Sequence, residues 1–419
     1  MQQWIIVGHG MAAMRLLQDL MLLARWDAQI TVIGEESWQG YNRIGLSDVL
    51  AGVRELESLA TVAPDWFEKH GVSCVHDWVC RIDRKARHVM LKSGERLRYD
   101  RLILATGSSP RLPDVPGIDL PGVRPFRTVA DVEQLLSVPA GARALVLGGG
   151  LLGLEAATGL AGRGVDVTVV HRDDWLMNRQ LDSFAAGWLE EALRQQGIAV
   201  RTGEEVEAIS ARENGGLHAV LKSGEALQAS AVVPAIGIMP RIELARECGL
   251  SVDRGIQVDD QLRTSDPCIH ALGECAEHRG VSYGLVAPLY EQAHQLAAHL
   301  GGLPAAYQGS AVSTQLKVSG LPVFSAGVTE GETGDHVIVW QDESHREYRK
   351  LVIRSGCLIG AVLFGDIRDG SFYHDLIERA ADITSVRESL VFGAAFCGAQ
   401  PSDSLQNTEK DTENNRAAA

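Results

Sequence analysis

The chain has 419 residues, enough for two or three domains at roughly 150 residues each. Hydrophobic residues make up 45% and charged residues 22%, the balance of a globular protein rather than a disordered or fibrous one. With 39 basic against 54 acidic side chains the formal charge is −15, so there is no phosphate-neutralising excess, and binding to nucleic acid or an anionic membrane is not expected. No run reaches the ~18 apolar residues of a membrane span. The N-terminal residues lack the basic, apolar and small-residue order of a secretory signal, and the seven cysteines are odd in number and irregular in spacing. A cytoplasmic protein is expected.

In chain order, Trp4-Ile-Ile-Val7 reads as a short strand ended by Gly8. Helical periodicity covers Met11–Arg25, and the β-branched run Ile30–Ile33 completes a βαβ unit. Leu102–Gly107 is an apolar strand running into small residues. Pro110, Pro113, Pro116 and Pro121 then mark a crossover between domains. The βαβ pattern returns with the strand Arg143–Leu147, the turn Gly148-Gly-Gly150, the helix Leu151–Arg163 and the strand Val167–Val170. Two copies, beginning at Gly8 and Gly148, predict two nucleotide-binding domains rather than a short-period repeat. A second boundary falls at Ala235–Pro240, followed by a strand, the turn Ala271–Glu274 and a helix over Leu285–Leu300. Beyond Leu303, Val337–Trp340, Arg349–Ile353 and Cys357–Phe364 alternate as antiparallel strands, with a helix expected at Asp375–Ala381. This is a smaller α+β domain, and the polar stretch Pro401–Ala419 reads as a disordered tail.

The chemistry sits in the two glycine turns. In Gly8-His-Gly10-Met-Ala-Ala13, Gly8 permits the tight turn, Gly10 lets backbone approach a pyrophosphate, and Ala13 keeps helix and strand close. The helix N-terminus favours the anion, and Glu35, just past the second strand, is placed to bind ribose hydroxyls. The second turn, Gly148-Gly-Gly150-Leu-Leu-Gly153, has the same spacing, but its second strand ends in His171-Arg172 where NAD-selective sites carry an acid. NADH and NADPH therefore both stay open. Two dinucleotide sites in one chain point to FAD on one domain and NAD(P)H on the other, because the flavin accepts a hydride and releases electrons singly. Cys268, His270, Cys275 and His278 have a spacing that suggests zinc. They overlap the Gly273-Glu274 turn, and Cys268 and His270 would alternate in one strand, so no metal is expected. His9 is read as a backbone position of the turn rather than a catalytic base.

The ordered motifs Gly8-x-Gly10-x-x-Ala13, Ala105-Thr-Gly107, Gly148-x-Gly150-x-x-Gly153-x-Glu155, Ala235-x-Gly237-x-x-Pro240 and Gly273-Glu274 resemble the two-dinucleotide-binding flavoproteins, which include ferredoxin, rubredoxin and disulfide reductases. Three longer stretches, Tyr41–Ser47, Leu176–Asp182 and Gly273–Pro288, look closest to the FAD-containing N-terminal part of assimilatory NAD(P)H nitrite reductase large subunits. The resemblance implies an α/β fold with two Rossmann-like domains and the smaller C-terminal α+β domain. It places a split FAD domain at residues 1–109 and 241–302, the NAD(P) domain at 110–240, the C-terminal domain at 303–398 and the tail at 399–419.

It also implies roles. Gly8, Gly10, Ala13, Glu35, Ala105, Thr106, Gly107, Gly273 and Glu274 would hold FAD, with Arg43 beside the flavin. Gly148, Gly150 and Gly153 would bind NAD(P)H, with Glu155 pointing to the nicotinamide and Lys317 placing a positive charge near the flavin, and Gly237 is a further cofactor-binding residue. Asp48 departs from the pattern, since ferredoxin-reductase relatives carry a lysine there. No CxxC pair occurs, which argues against an iron–sulfur cluster of usual spacing and against a dithiol mechanism. The implied function is electron transfer from NAD(P)H through FAD to a protein acceptor in nitrate or nitrite assimilation, the acceptor being a nitrate or nitrite reductase, a rubredoxin or an iron–sulfur protein. The alternatives are a rubredoxin- or ferredoxin-type reductase and a non-catalytic redox-sensing flavoprotein. The C-terminal domain is open to a role in the flavin site or in a homodimer.

Overall fold

The first strand, Gln2–Val7, is buried without a break from Trp4 to Val7, the signature of a central strand in a parallel sheet covered on both faces. It pairs with Ala28–Gly34 on one side and Arg101–Leu104 on the other. The full order is Ile269–Ala271, Arg101–Leu104, Gln2–Val7, Ala28–Gly34, Val72–His76, all parallel. The helix Met11–Leu23 lays Ala13, Leu16, Leu17 and Leu20 into the core beneath it, where Leu289, Ala293, Leu296 and Ala297 of the helix Val286–Leu300 meet them. This is a computed structural model, and it describes residues 1–23, 26–37, 40–213, 215–310, 313–318 and 321–398, without the side chains of 315–318 and 321. The expected tail, 399–419, lies outside the described residues.

A second parallel sheet runs Ala199–Thr202, Asp166–His171, Arg143–Leu147, Ala231–Pro234. Its helix, Leu151–Gly162, stops where Gly164 turns the chain at φ +80°. Between the two sheets, Ser108–Pro110 and Ile238–Pro240 pair antiparallel, so the two small-residue motifs that precede them cross side by side.

The chain divides into two compact units. Both sheets belong to the first, Met1–Asp174 with Arg194–Ser310. The second joins Trp175–Leu193 to the described residues from Ser313 onward. Its five-stranded antiparallel sheet has the order Ser313–Val318, Leu321–Gly327, Cys357–Phe364, Glu347–Arg354, His336–Asp342. Phe184 and Trp188 of the helix Ser183–Gln195 stack against Tyr348 and Phe364 of that sheet, with ring centroids 5.1–6.4 Å apart.

Asp182 explains why this helix stays there. One of its oxygens caps the helix by accepting from the Ala185 N–H (2.9 Å), and the other accepts from the Tyr348 hydroxyl (2.5 Å) and lies 3.0 Å from Lys350 Nζ. Burial, and then the Asp182 carboxylate, push the Tyr348 hydroxyl well above its ordinary pKa, so it remains a donor. Asp182→Ala should leave Tyr348 without its acceptor, the helix uncapped and Lys350 paired with Glu330 alone (2.8 Å). The expected loss is about 2 kcal/mol, measured as a lower urea midpoint.

The C-terminal helix is Gly370–Glu378 rather than the expected Asp375–Ala381. It begins early because Gly370 packs against the Phe324 ring and Tyr373 is buried, donating to the Leu390 carbonyl (2.8 Å). It ends early because Ala380 turns to φ +45°. Tertiary packing overrode the local pattern at both ends.

Candidate active site

The two glycine turns are built alike. Gly8 sits at φ +103° with a notional Cβ 2.2 Å from the Ala105 carbonyl oxygen; Gly148 sits at φ +118° with one 2.4 Å from that of Ala235. Both positions exclude any side chain, by backbone angle and by space. A Cβ on Gly153 would lie 2.1 Å from the Gly148 carbonyl oxygen, and Ala13 holds the equivalent place fully buried. Gly10 and Gly150 differ: a Cβ there would meet nothing within 4 Å. Open space over a helix N-terminus, with Gly150 giving no side-chain cap, is a cradle that a pyrophosphate fits. The residues at each turn therefore fit the pyrophosphate of a dinucleotide such as FAD or NAD(P)H.

Side chains other than the glycines support each turn. His9 is buried with its ring against Gly34, where a Cβ would lie 1.9 Å from the imidazole; burial lowers its pKa, so it packs as a neutral ring. In the second turn His171, at the end of its strand, accepts from the Gly149 N–H through Nδ1 (3.1 Å). Where NAD-selective sites carry a ribose-binding acid, this chain thus has a side chain that fixes the loop. Arg172 is exposed and lies 3.4 Å from Asp173.

Around the first turn the charges form one connected run. Glu35 pairs with Arg241 (2.9 Å), whose guanidinium also donates to Ser109 (2.9 Å) and lies over the Trp78 ring. The Arg241 backbone ties Ala105-Thr-Gly107 down: its carbonyl accepts from the Thr106 hydroxyl (2.8 Å) and its N–H donates to the Gly107 carbonyl (2.9 Å). Arg43 pairs with Glu36 and donates to the Arg127 carbonyl (3.3 Å). Burial alone would raise the Glu36 pKa, but Arg43 and the Tyr41 hydroxyl hold it below the usual carboxylate range. Arg127 in turn pairs with Glu274, which also accepts from Ser108 (2.9 Å), both through Oε2. Gly273 donates its N–H to Gln292 (2.8 Å). Arg43, Glu274, Gly273, Thr106, Gly107 and Glu35 are thereby brought to one region. Arg241, Arg127 and Glu36 were not expected, since their partners lie far away in sequence and no spacing announces them. Gly237 sits at φ +117°, its carbonyl accepting from the Arg111 N–H (2.9 Å) across the crossover.

Glu155 lies on the helix Leu151–Gly162, against the short helix Leu46–Leu50. Burial, then the Asp48 carboxylate, push its carboxyl up to about 7 against a smaller pull from the Ser47 hydroxyl. Lys317 falls on the strand Ser313–Val318 of the second unit, and its side chain lies outside the described residues. The cysteines form no disulfide, and burial raises the thiols of Cys74 (to about 11), Cys248, Cys275 and Cys397, so none of these four is an activated nucleophile.

Residues 2–298 match the family described as pyridine nucleotide-disulphide oxidoreductase. The chain belongs to that family. It is an FAD- and NAD(P)H-dependent oxidoreductase, and residues 313–381 match the rubredoxin NAD+ reductase C-terminal domain. This member is 42% identical over 388 residues to a nitrite reductase [NAD(P)H] of Bacillus subtilis (strain 168), covering 91% of this chain and 48% of that protein. It is 40% identical over 394 residues to an assimilatory nitrate reductase electron transfer subunit of the same organism, covering 93% and 51%. The chain thus spans about half the length of these relatives. Among solved structures it is similar to the ferredoxin reductase for the CYP199A2 system from Rhodopseudomonas palustris, with a TM-score of 0.83, 28% identity and coverage of 93% of this chain and 100% of that one. It is also similar to putidaredoxin reductase in its covalent complex with putidaredoxin, with a TM-score of 0.84, 26% identity and coverage of 91% and 94%. Among the described residues, no helix is long and apolar enough to cross a membrane.

Proposed function

We propose that the chain is a cytoplasmic electron-delivery module of nitrate or nitrite assimilation, taking electrons from NAD(P)H and passing them to a separate protein acceptor. The observation that carries this reading is the match along more than nine-tenths of the chain to both a nitrite reductase and a nitrate reductase electron transfer subunit. In this reading residues 1–109 and 241–302 hold FAD and residues 110–240 hold NAD(P)H. The flavin, when bound, converts a two-electron hydride into single electrons.

The chain's own residues do the rest. Backbone N–H groups beyond Gly8 and Gly148 bind the pyrophosphates, and Gly10 and Gly150 give them room. Arg241 orients Glu35 toward a ribose. Arg127 fixes Glu274, leaving its second oxygen to accept a hydroxyl. Arg43, held by Glu36, supplies positive charge where reduction places a negative one. Glu155 meets the nicotinamide end of the second dinucleotide.

The test is acceptor turnover. Protein reduced anaerobically by NAD(P)H is mixed with nitrate reductase, nitrite reductase or rubredoxin. Rapid reoxidation of the flavin by one of the two nitrogen-oxide reductases is expected. Rapid reoxidation by rubredoxin alone would favour the second reading, a rubredoxin-type reductase, to which the match at residues 313–381 lends support.

A further inference from the structure

The helix Leu46–Leu50, which begins one residue beyond the Arg43–Gly45 turn, packs on the helix Leu151–Gly162 that starts at the second glycine turn. The approach is close because Gly159 has no side chain: a Cβ there would lie 3.0 Å from Leu50 Cγ. Glu155 is four residues before Gly159, on the same helix face, and Ser47 is three before Leu50. Seating Leu50 on Gly159 therefore sets Ser47 and Asp48 against Glu155.

The Ser47 hydroxyl has one proton and two acceptors. It donates to the Ile44 carbonyl at 3.1 Å, and it lies close enough to the Glu155 carboxyl to pull its pKa down. When Glu155 is protonated, Ser47 keeps its proton on the Ile44 carbonyl and the carboxylic O–H is left to donate elsewhere. When Glu155 is ionised, Ser47 turns its proton to the carboxylate. Asp48 acts oppositely, as a like charge disfavouring ionisation. Asp48 is itself paired with Arg54 (3.1 Å), and that pair is half-exposed.

The strands packed behind Glu155 add no charge to it. Arg143 and Asp166 face each other (3.7 Å) at the opposite end of their strands, His171 is bonded to Gly149, and Ala231–Pro234 carries no ionisable group.

We propose that Ser47 and Asp48 are positioning residues that act through Glu155, deciding whether it offers a carboxylic O–H or a carboxylate to the nicotinamide end of the bound dinucleotide. This rests on the reading that Glu155 borders that dinucleotide. An amide group there can meet either form, its carbonyl accepting from the acid and its NH2 donating to the carboxylate. The switch costs one proton, exchanged with solvent. Because Ser47 and Asp48 pull in opposite directions, they leave a signature that a packing role would not.

The experiment uses the FAD-loaded protein and its variants Asp48→Asn and Ser47→Ala. Two profiles are measured across pH: the dissociation constant of the oxidised dinucleotide, and the rate of flavin bleaching by the reduced one. The wild type should show an inflection near neutrality in both. Asp48→Asn should move it to lower pH and Ser47→Ala to higher pH, each by about half a unit or more. Flavin that bleaches with a profile unmoved by the variants, or moved the same way by both, would overturn the proposal while leaving the two-dinucleotide reading intact. Wild-type flavin that no dinucleotide bleaches at any pH would instead remove the reading beneath it, and the proposal with it.

Discussion

Alanine in place of Gly148 gives a protein that keeps its flavin but is bleached by NAD(P)H at least ~100-fold more slowly, whereas alanine in place of Gly8 gives a protein without flavin. Each substitution puts a Cβ 2.2–2.4 Å from the carbonyl oxygen of the residue just past the neighbouring strand, at φ above +100°. Forcing a non-glycine residue into that backbone region costs about 1–3 kcal/mol before the carbonyl is displaced. A combined cost near 3 kcal/mol corresponds to the ~100-fold effect. Gly10→Ala and Gly150→Ala are the matched controls. Their Cβ meets no protein atom within 4 Å, so unfolding midpoints should hold while dinucleotide binding weakens. Absorbance spectra, anaerobic stopped-flow bleaching and thermal unfolding of the four variants separate the two effects. Gly150→Ala binding as tightly as wild type would mean that the open space there is not where the pyrophosphate lies.

Glu155→Gln should stabilise the protein at alkaline pH and do little at acid pH. The folded-state pKa of Glu155, about 7, stands above its ordinary 4.5, chiefly from burial and secondarily from Asp48. The folded protein therefore binds this proton more tightly than the unfolded chain does. Below pH 4.5 both states hold the proton and there is no penalty. From 4.5 to about 7 the wild type loses stability as pH rises, and above that the loss is complete. At about 1.4 kcal/mol per unit, the full penalty is about 3 kcal/mol. Glutamine carries no such proton and escapes it. Unfolding midpoints of both proteins at about pH 5 and pH 8.5 check this: a gap that opens with pH is expected, and equal gaps would mean that Glu155 is already ionised in the folded protein at neutrality.

What could be read in the sequence is what the backbone itself demands. Gly8 and Gly148 are legible because only glycine fits a turn pressed against the next strand, and Ala13 and Gly153 because helix and strand must touch. The buried strands around them follow from unbroken apolar runs such as Trp4–Val7. The ion pairs that support the site were not legible. Arg241 meets Glu35 and Arg127 meets Glu274 only after the two sheets have formed and the Ser108–Pro110 and Ile238–Pro240 segments have crossed. Asp182 closes one of the three stretches that carry the nitrite reductase resemblance, and its carboxylate anchors a helix to the sheet that carries Tyr348 and Lys350. Its segment accordingly groups with the C-terminal residues, a tertiary arrangement that local pattern does not announce. The helix at Gly370 was misplaced for a similar reason, because its start is set by the Phe324 ring.

Both glycine turns lie in one chain, so a flavin and a nicotinamide bound there should be in redox contact. The most direct measurement is the visible spectrum of the purified protein, followed by anaerobic titration with NADH and then NADPH. A yellow protein is expected, its flavin band bleaching stoichiometrically with at least one of the two. A protein that stays colourless after addition of FAD, or a flavin that neither nicotinamide reduces, would contradict it.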